Sequence, residues 1–190
     1  MQPRISQFQP LRYNSEQRNE YKRNPDLKVG FNHSMSVFIN QYIVLSQSWL
    51  GINFSYNIQQ NAITQFNTID PGTGKRTYYP VNVNGNRSWF LWSNYNKDKG
   101  NKKPEFGFGF NGGGNRFNNF VNGEKAITRS FNINIETSFG IENEEKFDFA
   151  IRPRLGYNHS RSSFSSVVNN NYWTYGGRVD VEVTLPWKME

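Results

Sequence analysis

The sequence predicts an all-β fold, an antiparallel up-and-down meander of about seven long strands. Three observations carry this. Apolar and polar residues alternate with a period of two through much of the chain, which is the signature of a strand with two unlike faces. Several runs reach about 12 residues, whereas strands of soluble domains usually hold about 5–6. Aromatic residues make up 16% of the chain, yet its mean hydropathy is −0.79. A disordered chain would be poor in aromatics, so this pairing fits sheets whose faces meet different surroundings.

The alternation is clearest near the C-terminus. Trp173, Tyr175, Val179, Val181, Val183, Leu185 and Trp187 occupy odd positions, with Thr174, Arg178, Asp180, Glu182 and Thr184 between them. A helix would scatter these valines around its surface, whereas a strand puts them on one face. Upstream, Phe147, Phe149, Ile151, Leu155 and Tyr157 alternate with Asp148, Arg152, Arg154 and Asn158. Ile127, Phe131, Ile133, Ile135, Phe139 and Ile141 alternate with Ser130, Asn132, Asn134 and Glu136. Phe106, Phe108 and Phe110 enclose Gly107 and Gly109, and Leu50, Ile52, Phe54, Tyr56 and Ile58 enclose Gly51, Asn53, Ser55 and Asn57. Phe31, Met35, Val37 and Ile39 form another run, and Val81, Val83, Trp89, Leu91 and Tyr95 a longer, looser one. Residues 1–28 are polar and read as an irregular loop or disordered start.

The connectors fall into two alternating sets. One holds Val44-Leu45-Ser46, Asp98 to Lys103 and Glu142 to Glu145; the other holds Asp70 to Gly74, Asn119 to Lys125 and Arg161 to Asn170. A meander places the sets at opposite rims. Pro71-Gly72 and Asn122-Gly123 supply turn chemistry. A strand of about 12 residues covers roughly 40 Å. Tilted by about 45°, it crosses a hydrocarbon core of about 30 Å. The fold expected is therefore a segment of a transmembrane β-barrel.

Other features narrow the function. The absence of cysteine excludes a disulfide scaffold and a thiolate metal site. The net charge of +7 is scattered, as expected of loops and a polar face. No run of about 18 apolar residues could form a transmembrane helix. Met1 to Pro10 has no apolar signal-peptide core, which taken alone argues against export. Gly107 to Gly112 matches G-x-G-x-x-G, but it lies inside the Phe/Gly alternation and precedes Gly113-Gly114-Asn115, a poor helix start for a dinucleotide site. Gly72-Thr73-Gly74-Lys75 lacks the upstream glycine of a phosphate-binding loop and reads as a hairpin loop. His33 and His159 are isolated and suggest neither a metal site nor a triad. The four N-x-[ST] patterns, at Asn32, Asn53, Asn86 and Asn158, are about what chance gives for 27 asparagines. No enzyme, catalytic residue, metal or cofactor is expected.

Some motifs are more specific. Asn24-Pro25-Asp26-Leu27-Lys28 resembles the N-P-x-L-K-P-E element of TonB-dependent receptors, departing from it at Val29-Gly30. Tyr79-Pro80-Val81-Asn82-Val83-Asn84-Gly85-Asn86 resembles a second segment of that family, and Phe120-Val121-Asn122-Gly123 and Glu145-Lys146-Phe147-Asp148-Phe149 add to the match. Together they resemble the outer-membrane β-barrel family of Bacteroidetes-type TonB-dependent receptors, over most of the chain from Gln9 onward. The resemblance implies a barrel of about 22 strands, an N-terminal plug, a signal peptide, and nutrient uptake coupled to the inner-membrane TonB system. Plug and signal peptide are not legible here, and the chain stops at Trp187-Lys188-Met189-Glu190, just after a strand. The expectation is a partial barrel over residues 29–190, a fragment not competent for transport alone.

The expected partners are outer-membrane lipid and the remainder of the barrel and plug, with no nucleic acid; the ligand is left open. Candidate lipid-facing or girdle residues are Phe54, Tyr56, Phe106, Phe108, Phe131, Ile133, Phe147, Phe149, Trp173, Tyr175, Val179, Val181 and Trp187. Candidate lumen-facing residues are Arg152, Arg154, Arg178, Asp180 and Glu182. The alternative is a soluble β-sandwich acting as a carbohydrate-binding or adhesin-like module, with strands of about 5–7 residues in two packed layers. A weaker alternative, a single-strand nucleic-acid surface, requires aromatics and cations on one face. In the clearest runs they fall on opposite faces.

Overall fold

A computed structural model describes residues 13–16, 19–97, 104–143, 146–164 and 169–183. The strands, in chain order, are β1 Tyr13–Glu16, β2 Asn19–Tyr21, β3 Phe31–Ile43, β4 Ser48–Gln60, β5 Ala62–Ile69, β6 Arg76–Val83, β7 Asn86–Lys97, β8 Pro104–Val121, β9 Glu124–Asn143, β10 Phe147–Ser162 and β11 Asn170–Val183. Seven of them form one sheet in the order β11-β10-β9-β8-β7-β4-β3, and every neighbouring pair in it is antiparallel. The other four form a sheet ordered β1-β2-β6-β5, in which β2 and β6 run parallel.

Of the seven alternating runs of the sequence, Val81 to Tyr95 is shared with the small sheet, and the described residues of the other six all land on the large sheet. Its strands are 12 to 20 residues long, well beyond the soluble norm of about 5–6. Among the described residues, the edge strands β3 and β11 do not pair with each other, so the sheet is open rather than a closed barrel.

The tight turns follow their local chemistry. Asn122 (φ 51°) and Gly123 (φ 82°) join β8 to β9. Both sit at positive φ, as a two-residue type I′ hairpin requires, and Asn-Gly is the pair that tolerates it best. A single 3₁₀ turn, Val44–Ser46, joins β3 to β4 and ends on Gln47 in the left-handed region.

The run from Val81 to Tyr95 is not one strand. It divides at Asn84-Gly85 into β6 and β7. Gln59 pairs with Asn86 and Ala62 with Val83, so the pairing keeps its register across the division. β4-β5 and β6-β7 are therefore the two arms of one long hairpin. Asn61 (φ 52°) and Gly85 (φ 94°) both leave extended geometry at the junction, and there the hairpin passes from the large sheet into the small one. β5 was not foreseen because its residues are nearly all half-buried and give no clean alternation. The first 28 residues, expected to be irregular, contain two short strands.

Asparagine side chains fasten this second sheet. Asn82 accepts a hydrogen bond from the Lys28 N–H at 2.7 Å and donates to the Lys28 carbonyl at 3.0 Å and the Asn61 carbonyl at 2.8 Å. Asn24 donates to the Pro80 carbonyl at 3.0 Å and accepts from the Asp26 N–H at 3.0 Å, an Asx-type turn. The Asn24–Lys28 motif and the Tyr79–Asn86 motif thus bind each other directly. Asn118 is fully buried: its backbone N–H donates to the Asn86 amide oxygen at 2.8 Å, and its side-chain amide donates to the Asn84 carbonyl at 2.6 Å. Phe66 stacks on Tyr79 and on Phe120, with ring centroids 4.7 and 4.9 Å apart, so the small sheet meets the large one near the β8–β9 turn.

Candidate functional site: the two faces of the large sheet

Register decides which side chains share a face, because residues opposite each other in neighbouring strands project the same way. One row can be followed across the whole sheet. Val37 pairs with Phe54, Phe54 with Leu91, Leu91 with Gly112, Gly112 with Ile133, Ile133 with Tyr157 and Tyr157 with Trp173. Two residues along, the row is Ile39, Ile52, Ser93, Phe110, Ile135, Leu155 and Tyr175. A further row holds Phe106, Phe139, Ile151 and Val179. These rows make one apolar face.

The intervening positions make the other face. Asn53, Trp92, Asn111, Asn134, Gly156 and Thr174 lie on it, as do Gly109, Glu136, Arg154 and Gly176. It is mainly asparagine, serine, glycine and charged residues, with Phe38, Phe90 and Phe117 also exposed on it.

The register sorts the described candidates into two sets. Phe54, Tyr56, Phe106, Phe108, Phe131, Ile133, Phe147, Phe149, Trp173, Tyr175, Val179 and Val181 share the apolar face. Arg152, Arg154, Arg178, Asp180 and Glu182 share the polar one. Trp187 lies outside the described residues, as does the connector 98–103.

Among the described residues, no second layer covers most of the apolar face. Tyr175 is 90% exposed, Trp173 and Val181 64%, and Phe106 50%. Among the described residues, the buried hydrophobics are only Leu27, Val83, Ala126 and Ala150. Soluble monomers rarely expose contiguous apolar patches beyond a few hundred Å².

On the polar face, a hollow of about 470 Å³ is lined by Trp92, Asn94, Asn96, Asn111, Asn134, Glu136, Arg152 and Arg154, among others. Beside it, the Asp180 carboxylate accepts hydrogen bonds from both Arg152 and Arg178, the latter at 2.5 Å from Nε. Trp49 and Trp92 meet edge-on over this face, their centroids 5.9 Å apart. Gly107 and Gly109 point to it from within β8, while Phe108 and Phe110 point away. The G-x-G-x-x-G match is therefore strand rather than a strand-to-helix turn. His159 lies against the ring of Phe131 at 5.0 Å on the apolar face, and His33 sits on the exposed edge strand. Among the described residues, no three His, Asp or Glu side chains converge.

One feature of the apolar face was not anticipated. Arg87, Arg116, Arg129 and Arg161 all carry its register, side by side at one end. The reading that cations oppose aromatics holds for Arg152, Arg154 and Arg178 but fails here. These arginines lie in four different strands, and only strand pairing brings them into line. Compared with known proteins, the chain matches no protein-family profile, no curated protein sequence and no solved structure.

Proposed function

We propose that the large sheet is a segment of an outer-membrane β-barrel, of the kind TonB-dependent receptors use for nutrient uptake, with a structural rather than an enzymatic role. The apolar face meets lipid and the polar face lines the lumen. The carrying observation is an uncovered apolar face with the dimensions of a bilayer. Along β9 the apolar rows run from Phe131 to Ile141. Ten residues at about 3.4 Å each cover roughly 34 Å, and a tilt of about 40° reduces this to about 26 Å, close to the apolar band of about 25 Å on such barrels. Strands of 12 to 20 residues suit that crossing. A soluble sandwich would instead need a second layer packed on this face.

The rims also differ. Val44–Ser46 makes a short turn at one, whereas the β5–β6 arm and the β8–β9 tip project at the other. Short periplasmic turns and longer extracellular loops have this asymmetry. In this reading, further strands pair with the open edges β3 and β11 to complete the wall, and any transport belongs to the completed barrel with its plug.

Single cysteines in an otherwise cysteine-free background report each face, and these 190 residues contribute none of their own. In membranes carrying the complete gene product, Ile133→Cys and Ile135→Cys should resist a water-soluble maleimide and be quenched by brominated lipid once labelled. Asn132→Cys and Asn134→Cys should show the reverse. Equal labelling of all four by the soluble reagent, or recovery of the protein in a detergent-free soluble fraction, would exclude the barrel.

A further inference from the structure

The arginine row is at odds with the face that carries it. Arg87 pairs with Arg116, Arg116 with Arg129, and Arg129 with Arg161. Strands are about 4.8 Å apart, so the row spans roughly 14 Å. Like charges directly opposite each other destabilise a sheet. Among the described residues of the seven strands, no Asp or Glu has the register of this face to offset the repulsion. The Nε of Arg116 is buried without a hydrogen-bond partner. Arg87, Arg116 and Arg129 line a hollow of about 450 Å³ together with Tyr56, Trp89 and Phe131.

We infer that this row binds the phosphate groups of membrane-lipid headgroups. The inference rests on the membrane reading above. Next to the arginines runs the row Tyr56, Trp89, Gly114, Phe131 and His159. Aromatics favour headgroup depth at the edge of the apolar band. The arginines then lie just beyond the hydrocarbon, on the rim with the longer hairpins. Guanidinium forks match phosphate oxygens bidentately. The alternating rows below, rich in Ile, Leu, Val and Phe, suit acyl chains. A single-stranded nucleic acid needs cations along its whole track, and the apolar rows below the arginines carry no Lys or Arg until Lys97 at the opposite rim.

The test compares the complete gene product with Arg87→Gln/Arg116→Gln/Arg129→Gln and with Arg152→Gln/Arg154→Gln/Arg178→Gln, which removes equal charge from the polar face. Each protein is reconstituted into vesicles of phosphatidylcholine, alone or doped with phosphatidic acid. Insertion is read by protease protection, and retained lipid by mass spectrometry after mild detergent extraction. All three should insert into phosphatidylcholine alone. Wild type and the polar-face variant should retain phosphatidic acid, and the apolar-face variant at least about tenfold less, since its charge-assisted bonds to phosphate are gone.

Equal retention by all three overturns the inference while the barrel stands. Failure of the wild type to insert overturns both. Displacement of phosphatidic acid by equimolar inorganic phosphate assigns the row to soluble anions and overturns the lipid assignment. Tighter binding of oligo-dT than of phosphatidic acid overturns it in favour of nucleic acid.

Discussion

Trp89 lies across Gly114, its partner in the β7–β8 ladder: a Cβ added to Gly114 would stand 2.6 Å from the indole Nε1 and 3.0 Å from Cε2. The same Cβ would lie 3.1 Å from Phe131 Cβ on the other side. Gly114 is thus the gap that lets the indole lie down between Arg87 and the apolar band. Gly114→Ala must displace Trp89, and overpacking of this kind costs about 1–3 kcal/mol. The emission maximum of Trp89, isolated by replacing the other tryptophans with Phe, should shift. Gly109→Ala is the control, because its nearest neighbour would be Glu136 Cβ at an ordinary 3.7 Å. An unshifted spectrum in Gly114→Ala would show that the indole lies elsewhere.

The faces should differ in their tolerance of charge. Ile135 lies midway along the apolar band, and Asn134 beside it projects to the polar face. Ile135→Arg should destabilise the membrane-inserted protein by about 2–4 kcal/mol, the cost of a cation at the midplane of the lipid face. Asn134→Lys should cost under about 1 kcal/mol, because in the proposed barrel its face meets water. Denaturant unfolding in vesicles measures both, and similar losses would sink the assignment of faces.

The tip of the β5–β6 hairpin should loosen in acid. Asp70 accepts a hydrogen bond from the Gly72 N–H at 2.9 Å and another from the Thr73 hydroxyl at 2.8 Å. These bonds favour the carboxylate, the Gly72 bond most, and hold Asp70 below its ordinary value of 3.8. A lowered folded-state pKa means the contribution is full above the unfolded value and is lost as pH falls through the folded one. The Gly72 amide resonance should therefore titrate with a midpoint below 3.8. Asp70→Asn should abolish that titration, and a midpoint above 3.8 would contradict the geometry.

Asn118 should act as the rivet between the sheets. Its side chain donates to the Asn84 carbonyl beside Gly85, and it is fully buried. Asn118→Ala strands that carbonyl, at a cost of about 1–3 kcal/mol. The expected result is faster proteolytic cutting near Asn84-Gly85, with the large sheet still protected. Protection equal to wild type would mean that Phe66 and Phe120 suffice to hold the arm.

The sequence by itself determined the strands of the large sheet and the two faces of each. Alternation is a local property, so Phe131 and Ile133 could be assigned to one side and Asn132 and Asn134 to the other without knowing their neighbours. The Asn122-Gly123 turn was legible for the same reason, since its positive φ values are a local demand. Tertiary structure alone decided what depends on pairing. The bend at Asn61 and Gly85 interrupts a ladder whose register continues, so its two halves read as one run. The fastening of Lys28 to Asn82 joins residues far apart in the chain. The arginine row is the clearest case: Arg87, Arg116, Arg129 and Arg161 lie far apart in the chain on four different strands, and only inter-strand register stacks their charges into one row.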